Sequence, residues 1–269
     1  MSQLAEAVSD TATITRRNLK KILRVPDLLV FTTLSPIMFV LLFAYVFGSA
    51  IGEQDTGVNY REFLIAGIFA QTVVFGSTFT GYSLAEDIQK GIVDRFRSLP
   101  MSPGAVVLGR TVADIGINVV SLLVMTLTGL LIGWRIRSSA LEAIAGFLLL
   151  LAFAYAISWV MAYVGLLVRS PEVVNNASFI VIFPVTFIAN TFVSVSNLPG
   201  PLKTFAEWNP VSTVTQAARE LFGNTVPGAV PDGPWPLANP VAYTLIWVVI
   251  IIAVFAPLAI RQYQRAASR

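Results

Sequence analysis

Six stretches of this chain each run for about twenty residues or more with a single charge, Asp114, among them: Leu28 to Gly48, Phe63 to Ala85, Thr111 to Gly133, Ala143 to Val168, Val173 to Val195 and Val241 to Ile260. About 20 apolar residues at 1.5 Å each cross the hydrocarbon of a bilayer. Overall, 55% of residues are hydrophobic and only 12% charged, about half the charge of a soluble domain. A soluble fold of 269 residues has too little interior to hide that surface, so the solvent these runs face is lipid. They lack the two-residue alternation of a membrane barrel, which makes the expected fold all-α, with six transmembrane helices.

Lysine and arginine then set the orientation, because they collect on the cytoplasmic side. Arg16, Arg17, Lys20, Lys21 and Arg24, then Lys90, Arg95, Arg97 and Arg110, then Arg169, then Arg261, Arg265 and Arg269 fall on one side, and Arg61, Arg135, Arg137, Lys203 and Arg219 on the other. Thirteen against five predicts two cytoplasmic termini. Glu6 and Asp10 precede the first basic group, which is wrong for a signal peptide, so a retained anchor is expected. The chain divides into an N-terminal cytoplasmic segment, 1–27, and a single transmembrane domain, 28–269.

Three stretches outside the spans carry pattern. In "TATITRRNLKKILRVP", Leu19, Ile22 and Leu23 share one arc of a helix and Arg16, Arg17, Lys20, Lys21 and Arg24 another, the pattern of an amphipathic helix lying in the membrane interface among anionic headgroups; an ordinary positive-inside anchor is the alternative. "EDIQKGIVDRFRSLPMSPG", between the second and third spans, spaces Ile88, Ile92, Phe96 and Leu99 as one apolar stripe flanked by Asp87, Lys90, Asp94, Arg95 and Arg97. Gly91 weakens that helix early, and Pro100 and Pro103 end it. Such a ridge suits the cleft of a soluble partner, or it rests on the membrane as a solvated loop. Before the last span, "PLKTFAEW" and "NPVSTVTQAARELFG" read as two short helices, the second with Asn209 as N-cap, Pro210 at its first position and Gly223 as its stop. Twelve residues span about 18 Å, too short to cross, so re-entrant or interfacial packing is expected.

The inventory of reactive groups is narrow. Cysteine and histidine are both missing, which removes disulfides, thiolate and imidazole metal sites and the usual near-neutral proton shuttle, and no metal site is expected. The four lysines, Lys20, Lys21, Lys90 and Lys203, never follow a glycine, so no P-loop cradles a nucleotide. No basic patch interleaved with aromatics suggests a nucleic-acid partner. Asp114 stands one turn after Arg110, and an i, i+4 ion pair near the cytoplasmic boundary accounts for both. Gln71, Asn118 and Asn190, with the four-residue ladder Phe179, Phe183 and Phe187, are candidates for a substrate path; hydrogen bonding between helices and lipid or dimer packing are the alternatives.

"GIVDRFRSLPMSPGAVVLGR" and "WNPVSTVTQAARELF" resemble the segments after the second span and before the last span of ABC-2 type exporter permeases, nearest the daunorubicin-resistance group. That resemblance implies a non-enzymatic permease subunit, multi-pass in the plasma membrane of a prokaryote, that pairs with a second permease copy or paralogue and with two cytoplasmic ATP-binding subunits. It also implies that ATP and Mg are bound by those partners, and that the short helix of Asp87 to Leu99 docks on them as a coupling helix. Hydrophobic drugs, lipids or lipid-linked natural products are the expected cargo. A cell-envelope polysaccharide or glycolipid exporter shares the topology. An ion-coupled transporter or channel without an ATPase is the rival from another class, and would want charges at mid-membrane.

Overall fold

The computed structural model describes residues 3–24, 26–47, 60–97, 102–168, 170–192, 194–195, 198–225 and 233–266, and every regular element among them is helical. In chain order these are α1 (Gln3–Arg24), α2 (Pro26–Leu41, continued by a π-helical stretch Leu42–Phe47), α3 (Tyr60–Gln89), α4 (Ile92–Arg97), α5 (Pro103–Leu131), α6 (Ala140–Leu167), α7 (Pro171–Phe187), α8 (Gly200–Trp208), α9 (Pro210–Leu221), α10 (Trp235–Ala238) and α11 (Pro240–Ala266). Four helices, α3, α5, α6 and α11, are long and apolar enough to cross a membrane. α2 with its π-helical extension covers 26–47, and α7 is shorter, at 17 residues.

The span expected fifth is where length falls short. The helix expected over Val173 to Val195 ends at Phe187. Pro184 lies inside its last turn, and beyond it the Asn190 amide donates to Ser212 Oγ of α9 (3.0 Å) instead of continuing a helical ladder. By contrast α5 starts eight residues before the expected Thr111, at Pro103. Asp10 of α1 accepts from the Ser102 amide (3.2 Å) there, supplying the cap that lets the helix begin early.

α3 runs through the middle, packed on α5, α6, α7 and α9. Its closest neighbour is α6, where Gly81 and Gly165 face each other so tightly that a methyl group on Gly165 would overlap the Gly81 carbonyl. Small residues let helices approach to backbone contact, which lipid-embedded packing relies on. The same device seats α1 on α5: Ile14 lies on Gly109 and Leu19 on Gly116. The buried stripe of α1 is therefore Ile14 and Asn18, while Leu19 stays 36% exposed beside exposed Arg16, Arg17 and Lys20. The side chains of Lys21, Ile22 and Leu23 lie outside the described residues. On the far side, Leu123, Leu127 and Leu131 of α5 and Val249, Ile250 and Val254 of α11 are exposed, as apolar residues facing lipid should be.

Candidate functional site

Between α2, α3, α5 and α7 lies a cavity of about 230 Å³. Phe39, Phe75, Phe179 and Phe183 form its aromatic walls; Ser35, Gln71, Thr72 and Ser121 supply its polar atoms. None of its lining side chains is charged. Four-residue spacing along α7 stacks Phe179 on Phe183 (5.0 Å between centroids) and Phe183 on Phe187 (4.0 Å). The ladder continues through Phe192 (4.8 Å) to Phe43 (4.4 Å) in the π-helical stretch of α2. Gly76 opens the wall toward α5: a methyl group there would come within 2.6 Å of Asn118 Oδ1. That oxygen and Thr72 Oγ1 are both buried and have no hydrogen-bond partner among the described residues, although Asn118 Nδ2 donates to the Asp114 carbonyl (3.1 Å). Buried acceptors left unpaired cost about 1–3 kcal/mol each.

Of the residues expected along a substrate path, Gln71, Phe179 and Phe183 thus meet at one cavity, with Asn118 behind Gly76. Phe187 belongs to the ladder but not to the lining. Asn190 goes elsewhere: its Nδ2 donates to Gln216 of α9 (3.2 Å).

Nearer the N-terminus of α5, Arg110 and Asp114 form the i, i+4 pair read from the sequence, at 3.0 Å. Both are buried, at 2% and 0% exposure, rather than sitting at a wet boundary. α3 supplies what the sequence reading missed. Thr80 Oγ1 donates to Asp114, Arg110 Nη2 donates to Ser83 Oγ (2.9 Å), and the guanidinium lies 4.8 Å from the Phe79 ring centroid. The signal was there, since Phe79, Thr80 and Ser83 fall on one face of α3 at helical spacing.

The charged stretch after α3 is divided. Gly91 takes a left-handed conformation (φ 66°), so Asp87 and Ile88 close α3 and α4 is a separate six-residue helix. Ile88, Val93 and Phe96 turn inward onto Leu84, Val107, Trp159 and their neighbours. Phe96 also lies under Arg17 of α1, 4.9 Å from guanidinium to ring. Arg95 is exposed and Ile92 half-buried. Lys90 pairs with Glu86 at 2.6 Å, and this hydrogen bond and charge raise the ammonium's pKa. The side chains of Asp94 and Arg97, and Leu99, lie outside the described residues.

At the opposite end, α9 is built as the sequence pattern predicts: Asn209 caps it by accepting from the Val211 amide (2.9 Å), Pro210 opens it, and Gly223 follows at φ 71°. What the charge census did not reveal is Arg219. It is 1% exposed, donates through Nε to the Phe63 carbonyl of α3 (3.0 Å) and through Nη2 to the carbonyls of Asn190 (2.7 Å) and Thr191 (3.3 Å), and stacks 3.4 Å over the Phe63 ring. One guanidinium therefore ties the end of α7 to α3 and α9, where Gly67 lets the Thr191 backbone touch α3. Beside it Arg137 forms a two-nitrogen contact with Glu62 (2.7 and 2.9 Å), and buried Trp134 donates to Asn224 (2.8 Å).

Comparison with known proteins joins these features to a lineage. Residues 9–222 match the model of the ABC-2 type transporter family. The chain is 35% identical over 260 residues, 97% of its length and 88% of the relative's, to the daunorubicin resistance ABC transporter permease protein DrrB1 of Streptomyces coeruleorubidus. It is 26% identical over 220 residues (81% and 75%) to the doxorubicin resistance ABC transporter permease protein DrrB of Mycobacterium tuberculosis. A probable doxorubicin resistance permease, DrrC, from the same organism is 26% identical over 236 residues (87% and 80%). With the motif-bearing segments inside or adjoining the matched region and the long apolar helices in place, the chain belongs to the ABC-2 type transporter family as an integral membrane permease.

Proposed function

We propose that this permease subunit exports aromatic amphiphiles, and that the uncharged cavity between α2, α3, α5 and α7 receives one ring system of the cargo. The cavity carries the reading: four phenylalanines and a few neutral polar atoms suit a flat apolar body with hydrogen-bond donors at its edge. Its volume, about 230 Å³, is below the roughly 300–1,000 Å³ of a whole-ligand pocket, which fits a cargo shared with a second permease protomer or gripped by one end. The relatives' names, with daunorubicin and doxorubicin resistance, support the same class. A polysaccharide would need a wide, polar groove, and the cavity offers neither.

In this reading the chain crosses a prokaryotic plasma membrane six times, α2 with its π-helical extension and the shorter α7 making two of the spans, and both termini are cytoplasmic, as the lysine and arginine asymmetry supports. Two separate subunits bind ATP and Mg and hydrolyse the nucleotide. The α3–α4 corner, with Asp87, Lys90, Ile92, Asp94, Arg95, Phe96, Arg97 and Leu99, meets them. Phe96 and Val93 seat α4 on the membrane helices, and Arg95 on its exposed side sets orientation against the partner.

Transport of a fluorescent anthracycline into inverted vesicles, with the permease and its ATP-binding subunits reconstituted together, tests the cavity. Phe183→Ala removes one aromatic wall, and the loss of one ring contact to the cargo, about 0.5–1.5 kcal/mol, should raise half-saturation roughly 2- to 13-fold, while Phe205→Ala on the exposed face of α8 leaves it unchanged. Equal kinetics for Phe183→Ala, Gln71→Leu and wild type at matched expression would place the cargo elsewhere.

A further inference from the structure

A second concavity lies between α1 and α5, separate from the cargo cavity. Its volume is about 630 Å³, and ten side chains line it, none of them acidic. Val8, Leu19, Leu108 and Val112 make apolar walls, and Arg16 and Lys20 stand one turn apart on the same face of α1. Among the described residues neither cation forms an ion pair.

The groove is bounded by fixed contacts. Ile14 rests on Gly109, Thr15 Oγ1 donates to the Gly109 carbonyl (3.2 Å), and Asp10 accepts from the Ser102 amide (3.2 Å), which fixes the position of α1 along α5 beside Leu108 and Val112. The cations of α1 are also divided: Arg17 points to the Phe96 ring of α4, while Arg16 and Lys20 point to the groove.

We propose that this groove is a binding site for one anionic phospholipid of the inner leaflet, its phosphate on Arg16 and Lys20 and its upper acyl carbons against Val8, Leu19, Leu108 and Val112. Charge complementarity selects this occupant: apolar walls next to two cations match a chain next to a phosphate. The same cations disfavour a positively charged drug, so the groove is not a second cargo site. A bound lipid braces α1 on α5 and, through Arg17 and Phe96, steadies α4. The proposal rests on the cytoplasmic placement of α1 given above, but not on what the cavity carries.

The test uses the full-length chain in phosphatidylcholine nanodiscs doped with spin-labelled phosphatidylglycerol or spin-labelled phosphatidylcholine, reading the motionally restricted fraction. Wild type should prefer phosphatidylglycerol. Arg16→Gln and Lys20→Gln should each lower that preference about fivefold, following roughly 1 kcal/mol per basic residue at an anionic surface. Leu108→Trp, which fills the groove, should reduce the restricted fraction of both labels, and Arg17→Gln should change the preference less than twofold. No preference in wild type, an Arg17→Gln effect equal to that of Arg16→Gln, or an unchanged restricted fraction in Leu108→Trp overturns the site. These nanodiscs contain no ATP-binding subunit, so failure here leaves the exporter reading standing, and failure of anthracycline transport leaves the lipid site standing.

Discussion

Replacing Arg219 tests whether one buried guanidinium fastens α9 and the end of α7 to α3. Arg219→Met matches much of the side-chain volume but removes the donors to Phe63, Asn190 and Thr191. Hydrogen bonds from a charged donor contribute roughly 1.5–3 kcal/mol each, and a buried carbonyl left bare costs about 1–3 kcal/mol. Against this, methionine relieves the cost of keeping a charge at 1% exposure. Three bare carbonyls at about 1–3 kcal/mol each outweigh the relieved desolvation of one ion, and the net loss should be about 3–5 kcal/mol. Arg219→Lys keeps the charge but loses the planar fork that reaches α3 and the end of α7 together, and with it the stacking on Phe63. It should lose about 2–3 kcal/mol. Unfolding in mixed micelles titrated with a denaturing detergent, followed by tryptophan fluorescence, gives both values. Lys203→Met on exposed α8 should stay within about 0.5 kcal/mol of wild type. An Arg219→Met protein within about 1 kcal/mol of wild type would show that α9 is held by apolar packing alone.

Asp114→Ala should cost about 3–5 kcal/mol because it strands the Arg110 charge in the interior, and the double change Arg110→Met with Asp114→Leu should recover most of that loss in the same detergent titration. Gly165→Val should abolish accumulation of folded protein because its side chain meets the Gly81 backbone, whereas Gly104→Ala, with nearest neighbours at 3.7 Å, should express normally, both read by size-exclusion of membrane extracts. Arg95→Glu should lower cargo-stimulated ATPase activity and transport in parallel without changing thermal stability; wild-type activity of this variant removes α4 from the coupling contact. Purified without its partners, the chain should hydrolyse no ATP in a phosphate-release assay, since no glycine-lysine cradle exists in it.

What the sequence shows and what it hides divide along a physical line. Lipid imposes a one-dimensional demand, a minimum apolar length, so the existence of the long helices could be read directly from Phe63 to Ala85, Thr111 to Gly133, Ala143 to Val168 and Val241 to Ile260. The N-cap Asn209 and the breaker Gly91 were equally legible, because capping and left-handed backbone are decided within a few residues. Apolar length could not say where a helix stops when another element takes over its hydrogen bonds, and α7 yields at Phe187 because Ser212 and Arg219 bind the backbone just beyond it.

Charge was the weaker guide. The orientation rule that counts Arg219 among exterior cations concerns which side a residue is on and not whether it is wet. The burial of Arg219 depends on three carbonyls from α3 and the end of α7, more than 25 positions away. The stripe of Ile88, Ile92 and Phe96 shows the same limit. Its spacing announced a buried face, but the inward residues are Ile88, Val93 and Phe96, with Val93 in place of Ile92, and their partners are Leu84, Val107 and Trp159 of the same chain. Amphipathicity specifies that a face must be covered and says nothing of what covers it. On the proposed exporter reading, the exposed side with Arg95 is where a soluble subunit is to be sought, while the inward Phe96 links α4 to Arg17 of α1 and to the buried cluster around Leu84, Val107 and Trp159.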